Sequence, residues 1–139
     1  MKIIKLITIL SLLCIFQASL AQNSNYKVVF DMTSNDSVNQ QALIRQLGFI
    51  RKSNPNSKLE VVIYGQGLDL AIKGKSPQEE AVKHLVTDEG VSFKVCGVTM
   101  KRYNYDKSQL LPGVEIVDDG IFEIISKQQE GWGYIKVAH

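Results

Sequence analysis

The chain has 139 residues, with 16 Lys+Arg against 14 Asp+Glu, two cysteines, two histidines and one tryptophan. That length suits one domain, and 45% hydrophobic with 22% charged residues argues against a disordered chain, a collagen-like repeat or a disulfide scaffold. A formal charge of +2 gives no sizeable cationic field, which argues against a nucleic-acid binder.

Residues 1–21 read as a secretory signal peptide. Lys2 and Lys5 form a charged start, and Leu6 to Phe16 is apolar except for Thr8 and Ser11. Ser19-Leu20-Ala21 puts small residues where a signal peptidase cuts, so cleavage is expected before Gln22. The apolar run is shorter than the roughly 20 residues a spanning helix needs. Leu12-Leu13 before Cys14 does not resemble a lipoprotein site, so no lipid anchor is expected; an uncleaved N-terminal anchor is the competing reading. The predicted location is therefore periplasmic or secreted. Lys2, Lys5 and Cys14 leave with the presequence, so the mature chain carries equal numbers of basic and acidic residues and one cysteine, Cys96. An odd cysteine in an exported protein is a free thiol or an intermolecular partner, unless it is simply a small buried hydrophobe.

Residues 22–139 then read as a single domain. Tyr26 to Asp31 is a compact run of β-formers, predicted as a strand. Ser37 and Gln40 have capping-box spacing, and a helix is predicted from there to Ser53, with Leu43, Leu47 and Ile50 on one face and Ile44 beside them. Asn54-Pro55 ends it. Leu59 to Tyr64 is a second strand, Gly65-Gln66-Gly67 a sharp turn, and Leu68 to Ile72 about one helical turn. Ser76-Pro77-Gln78-Glu79 starts a helix predicted to reach Asp88, with Ala81, Val82 and Leu85 inward and Gly90 as the stop.

Val91 to Val95 is a third strand, with Cys96-Gly97 at its end. A short helix is predicted over Thr99 to Asn104, and Val114 to Val117 is a fourth strand. Asp118 or Asp119 caps a helix through Gln129, whose predicted inward stripe is Ile121, Ile124, Ile125 and Gln128. Trp132 to Val137 is a fifth strand. No two strands are close enough for a hairpin, so the alternation implies an α/β fold with a parallel sheet and helices on both faces. Val91-Ser92-Phe93-Lys94-Val95 alternates where a doubly buried strand would be apolar throughout. That places it near an edge, or places Lys94 on a face that meets solvent or a partner.

Ligands and reactive groups gather at the carboxyl ends of parallel strands. Cys96 falls on this rim directly before a helix, where unpaired N–H groups favour the thiolate, and Gly97 allows close approach of a second chain or a substrate. Lys101 and Arg102 form a small basic spot nearby, able to stabilise a thiolate or attract an anionic sulfur species, or else merely a solvated helix face. Gly65-x-Gly67 lacks the third glycine of a dinucleotide loop, since Leu70 stands there. His84 and His139 have no ligand partners at metal spacing, so neither a metal nor a cofactor is expected. Trp132 and Tyr134 read as packing residues.

Phe93-Lys94-Val95-Cys96-Gly97-Val98-Thr99-Met100, the turn at Pro112, Gly113 to Asp118, and Gly131-Trp132-Gly133-Tyr134-Ile135 together resemble the DsrE/DsrF-like family. Tyr26 to Phe30 and Val62 to Gly65 fit as well, so the resemblance covers about residues 26–138. It implies a three-layer α/β/α fold with a five-stranded parallel sheet, often in homo-oligomeric rings or trimers. It also implies that Cys96 carries sulfur as a persulfide. Partners would be further copies of the chain and small reduced-sulfur species or a sulfur-relay protein, with no nucleic acid and no membrane after cleavage. The predicted function is a sulfur carrier or sulfurtransferase-like protein acting through Cys96. The alternative is a non-enzymatic oligomeric interaction module in which Cys96 is buried.

Overall fold

The computed structural model of the chain describes residues 26–137, so the expected presequence and His139 lie outside the described residues. The strands are β1 (Lys27–Met32), β2 (Lys58–Ile63), β3 (Val91–Cys96), β4 (Glu115–Val117) and β5 (Gly133–Val137). The helices are α1 (Ser37–Ser53), α2 (Glu79–Leu85), α3 (Gly97–Arg102) and α4 (Gly120–Gln129). Two 3₁₀ segments, Gly65–Ala71 and Lys107–Gln109, lie after β2 and before β4. All strand pairs are parallel and the order is β4-β3-β2-β1-β5.

That order fixes the layers. From β1 to β4 the chain steps across the sheet in one direction, and right-handed crossovers put every connection on the same face. The step from β4 to β5 runs the other way, so α4 lies on the opposite face. The cores follow this division. On the first face Phe30, Met32, Val61, Ile63, Phe93 and Val95 pack with Leu43 and Leu47 of α1, Val82 of α2 and Met100 of α3. On the second face the buried apolar cluster among the described residues is Val29, Val62 and Ile124, with Tyr64 and Trp132 against it.

The predicted stripe of α1 is present, with Leu43 and Leu47 fully buried and Ile44 and Ile50 partly so. Its cap is different. Asp36 precedes the helix and its carboxylate accepts from the Val38 N–H, so Ser37 is not the cap. Gln40 turns inward and accepts from the Ser76 hydroxyl. Ser76 in turn accepts from the Gln78 N–H, while Glu79 accepts from the Gly74 N–H. These bonds order a turn first, so α2 starts at Glu79 and is shorter than predicted. At its far end Asp88 leaves the helix, receives two bonds from the Arg51 guanidinium and accepts from the Gly90 N–H.

The alternation in β3 has its explanation here. The strand is second from the edge, and Ser92 and Lys94 point to the thinly covered α4 face, where Lys94 pairs with Glu115 of β4. The α4 stripe is a correction to the sequence reading. Ile124 is buried, but Ile121 and Ile125 are 57% and 46% exposed, and Gln128 is exposed. Glu123 and Lys127 occupy the inner side instead, because a carboxyl group, Glu60, lies on the sheet beneath them.

The Gly65-x-Gly67 turn is likewise structural. Gly65 has φ +58, and a Cβ on Gly67 would stand 2.5 Å from the Met32 carbonyl oxygen. The turn lets the chain leave β2 across the end of β1. Gly67→Ala is expected to lower stability by about 1–3 kcal/mol, because backbone must move to relieve the contact, with Gly65→Ala costing about 1 kcal/mol. Urea midpoints at constant m-value would check both.

Candidate functional site

Cys96 ends β3 and serves as the residue before α3. The sequence reading started this helix two residues later. Its actual start brings the N–H groups of Val98 and Thr99 to the cysteine itself. The side chain points to the α4 face, where a Cβ on Gly120 would lie 3.1 Å from Cys96 Cβ and 3.5 Å from a Tyr64 ring carbon. Gly120 is the first residue of α4, and Asp119 fixes that end by accepting from the N–H groups of Ile121 and Phe122. Of the two caps the sequence offers, Asp118 and Asp119, the helix is capped by Asp119.

Two helix starts therefore converge on one sulfur. Burial alone pushes the Cys96 thiol up, but hydrogen bonds from the N–H groups of Gly120, Thr99 and Val98 and from the Thr99 hydroxyl outweigh it. The net shift is downward, towards the thiolate. Thr99 is itself held, since its hydroxyl oxygen accepts from the Gly65 N–H at 3.3 Å. Cys96 is only 5% exposed. Gly97 does permit a close approach, but by this chain's own strand, since a Cβ there would meet the Val117 carbonyl oxygen at 3.2 Å.

Lys101 and Arg102 are exposed in the last turn of α3. A six-residue helix is about 9 Å long, so their backbone is at the far end from the sulfur. His84 is on the helix surface, and no cluster of three metal-ligating side chains occurs among the described residues.

Sequence reasoning missed the polar groups that share the α4 face with Cys96. Asp31, buried in β1, accepts from the hydroxyls of Tyr64 at 3.1 Å and Tyr134 at 2.7 Å, and from the Lys136 ammonium at 2.9 Å. Lys136 also lies 5.6 Å from the centre of the Tyr64 ring. Burial, then the charge and hydrogen bond of Asp31, push the Tyr64 phenol up to about 12. The hydrogen bond to Asp31, then burial, does the same for Tyr134. Both phenols are neutral donors near neutral pH, and Tyr64 is thereby fixed as one wall beside Cys96. Tyr134 is not merely a packing residue. The available signal was that Asp31 and Lys136 interrupt apolar strands, each at a strand's carboxyl end.

Glu60 is the second missed group. It is 3% exposed in β2, accepts from the Ser92 hydroxyl at 3.4 Å and lies 3.9 Å from the Lys127 ammonium. Burial, then a hydrogen bond with Glu123, pushes its carboxyl up to about 7.

The model of the DsrE/DsrF-like family matches residues 16–137. A protein of unknown function from Methanobacterium thermoautotrophicum, MTH1491, superposes with a TM-score of 0.75 at 31% identity, covering 80% of this chain and 98% of its own. The ychN protein of E. coli gives 0.68 at 15% identity, covering 81% and 98%. A conserved protein of unknown function from Bacteroides thetaiotaomicron, BT1422, gives 0.65 at 9% identity, covering 84% and 98%. The last two likenesses show the fold. No curated protein matches.

The hydrogen bonds at Cys96 carry a direct expectation. Its alkylation by iodoacetamide should titrate with an apparent pKa below the ordinary value of about 8.5. Thr99→Val, which removes one donor and keeps the shape, should move that midpoint upward by about half a unit to one unit. An unshifted wild-type midpoint would remove the electrostatic account.

Proposed function

The chain belongs to the DsrE/DsrF-like family, a family associated with sulfur relay, and from that premise we propose that it carries sulfane sulfur on Cys96. The observation that carries the reading is the place of Cys96, at the carboxyl end of β3 directly before α3 and against Gly120 at the start of α4, a setting that shifts the thiol towards its anion. The thiolate attacks the outer sulfur of a persulfide or polysulfide donor. A new S–S bond forms to Cys96, the donor's S–S bond breaks, and its electron pair leaves with the donor thiolate. No external oxidant is consumed, and the product is Cys96–S–S⁻ or its protonated form. The donors that favoured the thiolate also favour this anion.

The setting proposed for this chemistry is outside the cytoplasm, periplasmic or secreted, on the strength of residues 1–21. There the sulfur source is a small reduced-sulfur species or an exported relay protein.

A homo-oligomer belongs to the same proposal. The outer side of α4 exposes Phe122 at 69% together with Ile121 and Ile125, and Ile116 and Val98 are exposed nearby. A patch of this kind beside a functional residue suits contact between copies of the chain. Sedimentation at tens of micromolar is expected to give a species larger than a monomer; a clean monomer would refute the assembly.

A second reading has one observation in its favour, the 5% exposure of Cys96. In it the chain is a non-enzymatic oligomeric interaction module and Cys96 is a buried structural residue. Treatment with polysulfide or thiosulfate followed by intact-mass measurement separates the two. The carrier gains about 32 Da on the wild type and nothing on Cys96→Ser. The module labels neither, reacts slowly with thiol reagents, and responds to Cys96→Ala mainly through stability.

A further inference from the structure

The carboxyl rim of a parallel sheet is where ligands collect, and Cys96 occupies only one side of it. On the side of the first face a cleft of about 250 Å³ opens between the loop after β1, the 3₁₀ segment after β2 and the chain that leaves α3. Local structure sets its walls. Gly65 takes φ +58 and donates its N–H to the Thr99 hydroxyl oxygen, which ties the start of the 3₁₀ segment to α3. Leu68 and Leu70 are buried in the first-face core and hold the half-buried Asp69 between them. On the α3 side the helix ends in a left-handed turn. Asn104 has φ 57, its N–H bonds the Lys101 carbonyl, and the Tyr105 N–H reaches back to the Met100 carbonyl. That reversal returns Tyr105 beside the helix end, so Tyr103 and Tyr105 both line the cleft.

These side chains restrict what the cleft can hold. Asp69 supplies a full negative charge, and no lysine, arginine or histidine lines the cleft with it. Among the described residues no ion pair involves Asp69. The acids beside the lining are already engaged. Asp36, next to Asn35, caps α1, and Asp106, next to Tyr105, caps the second 3₁₀ segment. An anion would meet the Asp69 carboxylate with no cation to offset it. A metal ion would lack ligands, since no cluster of three metal-ligating side chains occurs among the described residues. An apolar ligand would find one aliphatic side chain, Leu68, and that is 2% exposed. A weakly hydrated cation meets attraction from both kinds of group, the carboxylate through its charge and the tyrosine rings through their faces. The exposed amides of Asn35 and Gln66 can bond a hydroxyl elsewhere on the same molecule.

We propose that this cleft binds a small organic cation, an alkyl-substituted ammonium group, with Asp69 as its counter-ion and Tyr103 and Tyr105 as its aromatic walls. The volume lies below the roughly 300 Å³ at which clefts for drug-sized ligands begin, so the ligand is a molecule of a few carbons. The site is separate from the sulfur chemistry. The Cys96 side chain faces α4, whereas Leu68, Leu70 and Tyr105 pack with the first-face core. Binding here requires no thiol.

The test is an amide NMR titration of the full chain with choline, up to about 20 mM, beside 3,3-dimethylbutan-1-ol, its uncharged carbon analogue. Choline should shift the amides of Gly65, Gln66, Asn104 and Tyr105 and saturate, and the neutral analogue should leave them in place. Asp69→Asn keeps the shape and removes the charge, and should weaken choline binding about tenfold or more. The absence of a saturable shift overturns the proposal. Equal binding of the neutral analogue, or undiminished binding to Asp69→Asn, overturns it as well. Should Asp69→Asn fail to give a folded spectrum, Tyr103→Leu serves instead, at a position 45% exposed. It should weaken choline binding about threefold or more, and unchanged affinity overturns the proposal.

Discussion

A parallel sheet needs cover on both faces, and in this chain the connections from β1 to β4 all lie on one of them. Among the described residues, the strand order β4-β3-β2-β1-β5 leaves α4 as the one helix on the other. Ten residues cannot hide the surface of five strands. That face accordingly carries Asp31, Glu60, Ser92, Lys94, Tyr134 and Lys136, and these groups are held by each other: Asp31 by two phenols and an ammonium, Lys94 by Glu115, Glu60 by Ser92 and the inner side of α4. The return crossover also determines where α4 begins. It starts at the carboxyl rim, over the end of β3, and Gly120 is small enough to let its backbone reach Cys96. The location of the sulfur and the polarity around it are two results of the same crossover.

Electrostatics near Cys96 is short-ranged. The sequence suggested a basic spot at Lys101 and Arg102, but exposed charges at the far end of a helix are screened by water and salt before they reach a buried atom. Backbone N–H groups next to the sulfur suffer no such loss. They also need no charge to be buried, so the desolvation that penalises the thiolate is offset by dipoles already fixed in two helix starts. The start of α3 lies at Cys96 itself, whereas Lys101 and Arg102 stand in its last turn.

Much of the fold was legible in the sequence because the first face obeys simple periodicity. Leu43 and Leu47 recur at helical spacing, Phe30, Val61 and Phe93 occupy apolar strands, and each strand and helix lies within a few residues of its predicted place. Cys96 was legible as well, since a lone cysteine between a strand and a helix is a local feature. The rest depended on contacts between distant segments. Ile121 and Ile125 follow helical spacing as well as Leu43 and Leu47 do, yet they face outward, because Glu60 beneath α4 selects Glu123 and Lys127 for the inner side. No pattern within residues 118–129 contains that information. Asp31 and Lys136 are separated by most of the chain and become partners only when β5 returns beside β1.

Burial and reactivity of Cys96 are not opposed in this arrangement, since the groups that exclude water from the sulfur are the groups that favour its anion. The tension lies in space. A second sulfur stands about 2 Å beyond the first. The wall on the α4 side is close, because even one added methyl at Gly120 would come within 3.1 Å of Cys96 Cβ and 3.2 Å of Val62. A carrier at this position needs a wall that yields, and the first face, with its continuous core against α1, α2 and α3, offers none at low cost. α4 is different. One buried isoleucine and a carboxyl pair under a shared lysine hold it, and its outer side is free of contacts among the described residues. In the proposed carrier, the weak apolar anchoring of this face is what would let α4 yield to an added sulfur, and the polar contacts beneath the helix would hold it in place when the sulfur is absent.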